Sequence, residues 1–146
     1  MALEGTYEPS PWEPIAEQVA LFESTDGADG NLLEGKPCII LWTRGRKTGT
    51  VRKTPLMRVT DDAGRYAVVA SMGGAPNHPV WYLNLLAQPR ATIDAGPERI
   101  EVTASTAAGE ERTRLWNEAV RGNSQFAVYK SITSREIPVV VLTPVA

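Results

Sequence analysis

With 146 residues, 42% apolar and 22% charged, the chain is long enough for one domain with its own core and has the composition of an ordinary soluble globular protein. Its single cysteine excludes an internal disulfide, and one His with one Cys makes no recognisable metal-ligand set, so no metal is expected. The formal charge is only −2, no run approaches the roughly 20 apolar residues that span a bilayer, and residues 1–14 lack the charged start and apolar centre of a signal peptide. A cytoplasmic protein is the expectation, with peripheral contact at the inner membrane face as the weaker alternative.

Residues 1–11, with Pro9 and Pro11, read as an extended arm, and residues 12–146 as one domain. Pro14 suits the first turn of a helix over residues 12–24, where Trp12, Ile15, Val19 and Phe22 recur at helical spacing. That face packs on the domain or touches a membrane surface; Glu13, Glu17 and Glu23, with no base, suit anionic lipid poorly. Residues 25–31 form a turn-rich loop. Strands follow at 37–43 and 51–60, joined by a tight turn at 47–50 with Gly49 available for positive φ. Pro55 marks an edge, a bulge or a ligand-facing position. A hairpin turn at 61–64 leads to a strand at 65–71, and residues 72–79 form a loop with two Gly and two Pro. A short helix at 80–88 ends at Pro89. Strands at 91–95 and 99–104, helices at 109–121 and 124–131, and a β-branched strand at 137–142 complete the chain. Cys38, in an apolar run, reads as a buried thiol. Regular βαβ alternation is missing, which predicts a mainly β fold: an antiparallel barrel with packed helices.

Charge is distributed unevenly. Six of the fifteen Lys and Arg fall within residues 44–58, which hold no acid, leaving nine bases against seventeen acids elsewhere. Exposed backbone N–H groups of a Gly-containing turn, joined by Lys and Arg side chains, suit a phosphate. Arg46, Lys47, Thr48 and Gly49 supply both, and Arg52 and Lys53 return on the next strand. The Walker order and the G-x-G-x-x-G fingerprint are both missing. From composition alone three readings stay open: a solvated hairpin, a grip on nucleic-acid backbone, or a seat for a small anion.

The pattern continues beyond this hairpin. G-R-K-T-G at 45–49, T-P-L-M at 54–57, A-S-M-G-G-A-P-N-H-P-V-W-Y-L-N-L at 70–85 and R-E-I-P-V-V-V-L at 135–142 occur in that order. Together they resemble the deazaflavin-dependent nitroreductase family of actinobacteria, reductases that use coenzyme F-420. The resemblance spans residues 36–143. It implies a split β-barrel similar to FMN-binding split barrels, and a reduced deazaflavin as hydride donor.

Carried over, the family's phosphate contacts fall on Lys47 and Arg52, with Arg46, Thr48, Gly49 and Lys53 nearby. Thr54, Pro55, Leu56 and Met57 are implied along the deazaflavin ring, and Ser71, Met72, Gly73 and Gly74 around its other part. Ala75, Pro76 and His78 close that loop, and Trp81 and Asn84 face it from the helix. The acceptor is implied to meet Met57, Trp81, Asn123, Phe126 and Tyr129. Some members carry Lys where this chain has Met72, and tyrosines where it has Met57, Asn123 and Phe126. Such a pocket suits a small planar hydrophobic acceptor: a quinone, a coumarin or lactone enone, or a nitroaromatic. Ser71 and Tyr129 are the candidate catalytic hydroxyls; His78 is a third acid–base candidate by type. The Gly-Gly-Ala-Pro loop and the aromatics favour a stacked small molecule over nucleic acid. An FMN-dependent oxidoreductase and a non-catalytic deazaflavin-binding protein are the alternatives.

Overall fold

The computed structural model describes residues 2–60 and 65–145; the turn expected at 61–64 lies outside them. The elements are α1 (Glu13–Ser24), β1 (Leu32–Leu33), β2 (Lys36–Arg44), β3 (Val51–Met57), β4 (Val59–Thr60), β5 (Tyr66–Val69), a 3-10 turn (Met72–Gly74), α2 (Val80–Ala87), β6 (Arg90–Ala95), β7 (Glu98–Thr106), α3 (Gly109–Gly122), α4 (Gln125–Ile132) and β8 (Val139–Pro144). The strands form one curled antiparallel sheet in the order β1-β2-β6-β7-β8-β5-β4, with β3 also paired to β2. The mainly β expectation therefore holds, and the curled sheet is that of a split barrel.

Strand alternation divides the core. Ile39 and Leu41 of β2 join Val68, Ala70, Ile93, Val102, Val140 and Leu142 inside the curl, closed by Trp81, Tyr82 and Leu85 of α2. The intervening Ile40 and Trp42 face outward and are covered by Val19 and Phe22 of α1. Ala67, Val69, Val139 and Val141 likewise face outward, beneath Leu115, Trp116 and Ala119 of α3 and Phe126 of α4. Both faces of β2 and β8 are thus buried, which explains why their sequences read as unbroken apolar runs. The apolar face read for α1 is real for Val19 and Phe22, each 1% exposed, while Trp12 is 64% exposed.

Several boundaries differ from the sequence reading by a residue or two, among them the strands read at 65–71 and 137–142, which run Tyr66–Val69 and Val139–Pro144, and three differences go further. The run 51–60 is two strands, because the chain leaves β2 at Met57 and joins β5 at Val59, with Arg58 donating its N–H to the Pro37 carbonyl. No turn residue marks this corner. The hairpin β1 was not foreseen, and β7 runs two residues further, to Thr106, where it pairs with Val140 of β8. The arm is held to the domain. Glu8 N–H donates to Val51 O at 2.9 Å, Val51 N–H donates to Thr6 O at 2.8 Å, and Ala2, Leu3 and Tyr7 pack on the core beneath α1.

Candidate active site

The basic hairpin is built by β2, β3 and the turn between them. Gly45 N–H donates to Thr50 O and Gly49 N–H to Gly45 O, both at 2.8 Å. Gly49 takes φ +73°, a left-handed conformation that favours glycine. A buried Asn84 on α2 pins the turn from the other side. Its Oδ1 accepts the Arg46 N–H at 3.1 Å, and its Nδ2 donates to Thr43 Oγ1 at 3.1 Å. The result is a cavity of about 420 Å³ lined by Thr43, Gly45, Arg46, Lys47, Thr48, Arg52, Thr54, Val80, Trp81 and Asn84. Three cations line it and no acid does. Arg46 and Lys47 are exposed and have no carboxylate partner among the described residues; Arg52 is shared with Glu8 of the arm at 2.9 Å.

A second cavity, of about 230 Å³, lies on the other side of Trp81, which lines both. Leu56, Met57, Val69 and Pro79 give it apolar walls; Ser71, Met72 and Gly73 form one edge, and Asn123, Phe126 and Tyr129 another. The Phe126 and Tyr129 rings meet edge to face, 6.2 Å between centroids. Ser71 and Tyr129 hydroxyls have no hydrogen-bond partner among the described residues. The turn carrying Met72 (φ +46°), Gly73 (φ +63°) and Gly74 (φ +80°) packs against α4 so closely that a Cβ on Gly74 would lie 2.9 Å from the Tyr129 carbonyl oxygen.

Seven residues expected at the site line neither cavity. Lys53 is on the opposite face of β3 from Arg52: its Nζ lies 2.8 Å from Glu23 Oε1 and 3.9 Å from the centre of the Trp42 ring. Pro55, two residues on, is buried on that same face, paired with Ile40. Gly49 serves the turn, its carbonyl accepting from Arg44 Nη1. Gly74 is spent on the contact with α4. Ala75 gives its carbonyl to Arg135 at 2.8 Å, and Pro76 is exposed on the loop. His78 is 3.1 Å from Arg135 Nη1 through its Nδ1, with its ring against Tyr82. It braces the loop and lines neither cavity.

Other lining residues escaped the sequence reading. Thr43 shares the inward parity of Ile39 and Leu41; that alternation was a usable signal. Leu33 and Glu34 reach the second cavity from the β1–β2 hairpin; at the start of α2, Pro79 lines the second cavity and Val80 the first. Arg135 lines neither cavity but donates to the carbonyls of Ala70, Ser71 and Ala75. Partial burial draws its pKa below the ordinary arginine value.

Outside the site, Trp42 Nε1 and Arg99 Nε donate to the buried Asp94, at 2.9 and 2.8 Å, and Arg99 also reaches Glu23. Burial favours the neutral form of each acid. For Asp94 the neighbouring Glu23 and the hydrogen bonds donated by Arg99 and Trp42 reverse this and hold it below the usual carboxylate range; Glu23, beside that carboxylate, stays raised. This network ties α1 to β2, β3 and β6 on the outer face. Among the described residues, no group of His, Cys, Asp and Glu could hold a metal ion, and no helix is long and apolar enough to cross a membrane.

Residues 15–144 match the family model of the F-420H(2)-dependent quinone reductases. An F-420H(2)-dependent quinone reductase of Mycobacterium tuberculosis is 41% identical over 128 residues, covering 85% of each chain. Among solved structures, an F-420-H2 dependent reductase, FDR-A, superposes with TM-score 0.67 at 41% identity, covering 73% of this chain and 93% of its own. A domain-swapped dimer superposes with TM-score 0.70 at 37% identity, covering 91% and 99%.

Proposed function

Because the chain belongs to the F-420H(2)-dependent quinone reductase family, and is thus a reductase that uses coenzyme F-420, we propose how its two cavities divide the work: the basic one seats the coenzyme's anionic part and the aromatic one takes a quinone. The observation that carries this reading is the shared wall. Trp81 lines both a cavity with three cations and no acid and a cavity of mostly apolar character.

The donor set fits the coenzyme. Its phosphodiester and carboxylates are anions, and Arg46, Lys47 and Arg52 offer charge-assisted hydrogen bonds, with the Thr48 hydroxyl beside them. The positive turn needs no conformational change to receive an anion, since Asn84 already holds it to α2. When bound, the reduced deazaflavin supplies a hydride.

The chain's own residues supply the rest. Trp81, Phe126, Met57 and Leu56 give a planar acceptor apolar surfaces and keep water from it. A quinone that gains a hydride, two electrons and one proton, needs one further proton to become the quinol. The negative charge grows on a quinone oxygen, and the unengaged hydroxyls of Ser71 and Tyr129, which line this cavity, can hydrogen-bond that oxygen and pass a proton to it. Solvent then restores the hydroxyl proton.

The test is a fluorescence titration with oxidised coenzyme F-420, with FMN in parallel, followed by oxidation of the reduced coenzyme with a quinone. Tight binding of the deazaflavin, preferred over FMN, with quinone-dependent turnover is expected. Equal or tighter FMN binding overturns the assignment of the basic cavity. Coenzyme binding with no oxidation by any quinone overturns the assignment of the aromatic one.

A further inference from the structure

We propose that Arg135 is a positioning residue for the acceptor cavity: its guanidinium sets the Ser71–Met72–Gly73 edge without touching the acceptor. This rests on the reading of the aromatic cavity given above.

Four of its donors reach four acceptors on one loop. Nε donates to Ala75 O at 2.8 Å, Nη2 to Ser71 O at 2.6 Å, and Nη1 to Ala70 O and to His78 Nδ1, each at 3.1 Å. Arginine has no acceptor atom, so His78 Nδ1 must accept, which leaves the imidazole N–H proton on Nε2. Nothing in this arrangement neutralises the cation: among the described residues Arg135 has no carboxylate partner, and its binding energy goes to neutral loop atoms. The guanidinium therefore acts as a template for the loop between β5 and α2.

Position makes the template matter. Ser71, whose carbonyl takes the shortest of the four bonds, lines the acceptor cavity together with Met72 and Gly73. The same turn is also gripped by α4, at the Gly74–Tyr129 contact. Ser71 and Tyr129 are thus held by two separate attachments of one turn, and Arg135 supplies one of them. Lysine cannot replace it, because an ammonium is a single point with three donors and cannot reach acceptors spread from Ala70 to His78. A displacement of the turn by a fraction of an ångström would misplace Ser71 relative to an acceptor while leaving the basic cavity, on β2, β3 and α2, as it is.

The experiment compares the parent with Arg135→Lys, Arg135→Ala and His78→Ala. The measurements are affinity for oxidised coenzyme F-420 by fluorescence, kcat and KM with menadione as acceptor, and amide hydrogen exchange across residues 70–76. For Arg135→Lys we expect coenzyme affinity within about 3-fold of the parent, kcat/KM for menadione down about 10-fold or more, and faster exchange confined to the turn. Low-millimolar guanidinium should restore part of the lost kcat/KM to Arg135→Ala and none to the parent. A kcat/KM within about 2-fold of the parent, or an equal loss of coenzyme affinity, overturns the proposal. Should neither Arg135 variant fold, His78→Ala decides: a fall of about 3-fold or more in kcat/KM at unchanged coenzyme affinity supports it, and parent-like values overturn it. A Phe126→Ala control separates the two levels. If that change leaves the preference among quinones of different size unaltered, the reading of the aromatic cavity fails, whatever Arg135 does.

Discussion

Arg52 and Lys53 are adjacent in sequence and opposite in space. Arg52 lines the basic cavity, whereas the Lys53 ammonium is clamped between Glu23 and the face of Trp42 on the far side of β3. Strand pleating alone separates them. One basic residue of the pair is available to a ligand, and the other is part of the scaffold.

That separation gives opposite phenotypes. Lys47→Ala, and Arg52→Ala to a smaller extent because Glu8 already shares its charge, should each weaken coenzyme binding with little change in stability. About 10-fold is expected for Lys47. Lys53→Met should leave coenzyme affinity within about 2-fold, yet destabilise the fold by about 1–3 kcal/mol, because Glu23, beside Asp94, loses its nearer cation and keeps only Arg99. Titration by fluorescence and urea denaturation of the same three variants checks both halves. Parent-like stability in Lys53→Met would contradict its assignment to the scaffold.

Phe126, together with Met57, lines both the aromatic cavity and a neighbouring one of about 250 Å³ lined by Lys36, Arg58, Val59 and Arg121 among others. Phe126→Ala should join them. Bulkier quinones then gain relative to menadione in kcat/KM, coenzyme affinity stays close to the parent's, and stability falls by about 3–4 kcal/mol from the lost packing. Steady-state kinetics over a series of quinones of increasing size is the check.

Gly74→Ala should be costly although only one methyl is added. The new Cβ meets backbone, the Tyr129 carbonyl oxygen at 2.9 Å, and the residue sits at φ +80°. A loss of about 1–3 kcal/mol is expected, seen as a lower thermal midpoint. KM for the acceptor should rise as well, since α4 carries Phe126 and Tyr129 and must move away.

Cys38 supplies a pH prediction. Burial pushes its thiol up to about 11 from an ordinary value of 9.0. The folded state therefore disfavours the thiolate. Stability from this residue is fully present below pH 9.0 and is lost as pH rises toward 11, by about 2–3 kcal/mol in total. Native protein at neutral pH should react with a thiol reagent only at the rate of unfolding, and Cys38→Ala should remove the contribution of this group to the alkaline loss. Rapid labelling of native protein would contradict the burial.

Much of the fold was legible because its signals are local. Strand propensity and turn residues placed seven of the eight strands, although β3 and β4 were read as one. The break at Arg58 was not legible, since a change of strand partner leaves no mark in a run of residues with no turn former. The hairpin at Leu32–Leu33 was missed because two residues are too short for any periodicity. At the site, the basic hairpin and the family resemblance led to Arg46, Lys47, Arg52, Ser71, Trp81, Phe126 and Tyr129, each of which lines at least one of the two cavities. Proximity in sequence also drew in Lys53, Pro55 and His78, which do not.

By itself the sequence determined what the chain can bind: a block of cations without acids, glycines where the backbone must turn, and aromatics enough for a planar partner. These are properties of residue type and short spacing, and they survive without coordinates. Tertiary structure alone decided which of those groups act together. Trp81 joins two cavities, Lys53 turns away to Glu23, and Arg135 reaches back across 65 residues to the Ala70 carbonyl. Each of these depends on which strand face or loop another part of the chain covers, and that is settled by burial over the whole domain.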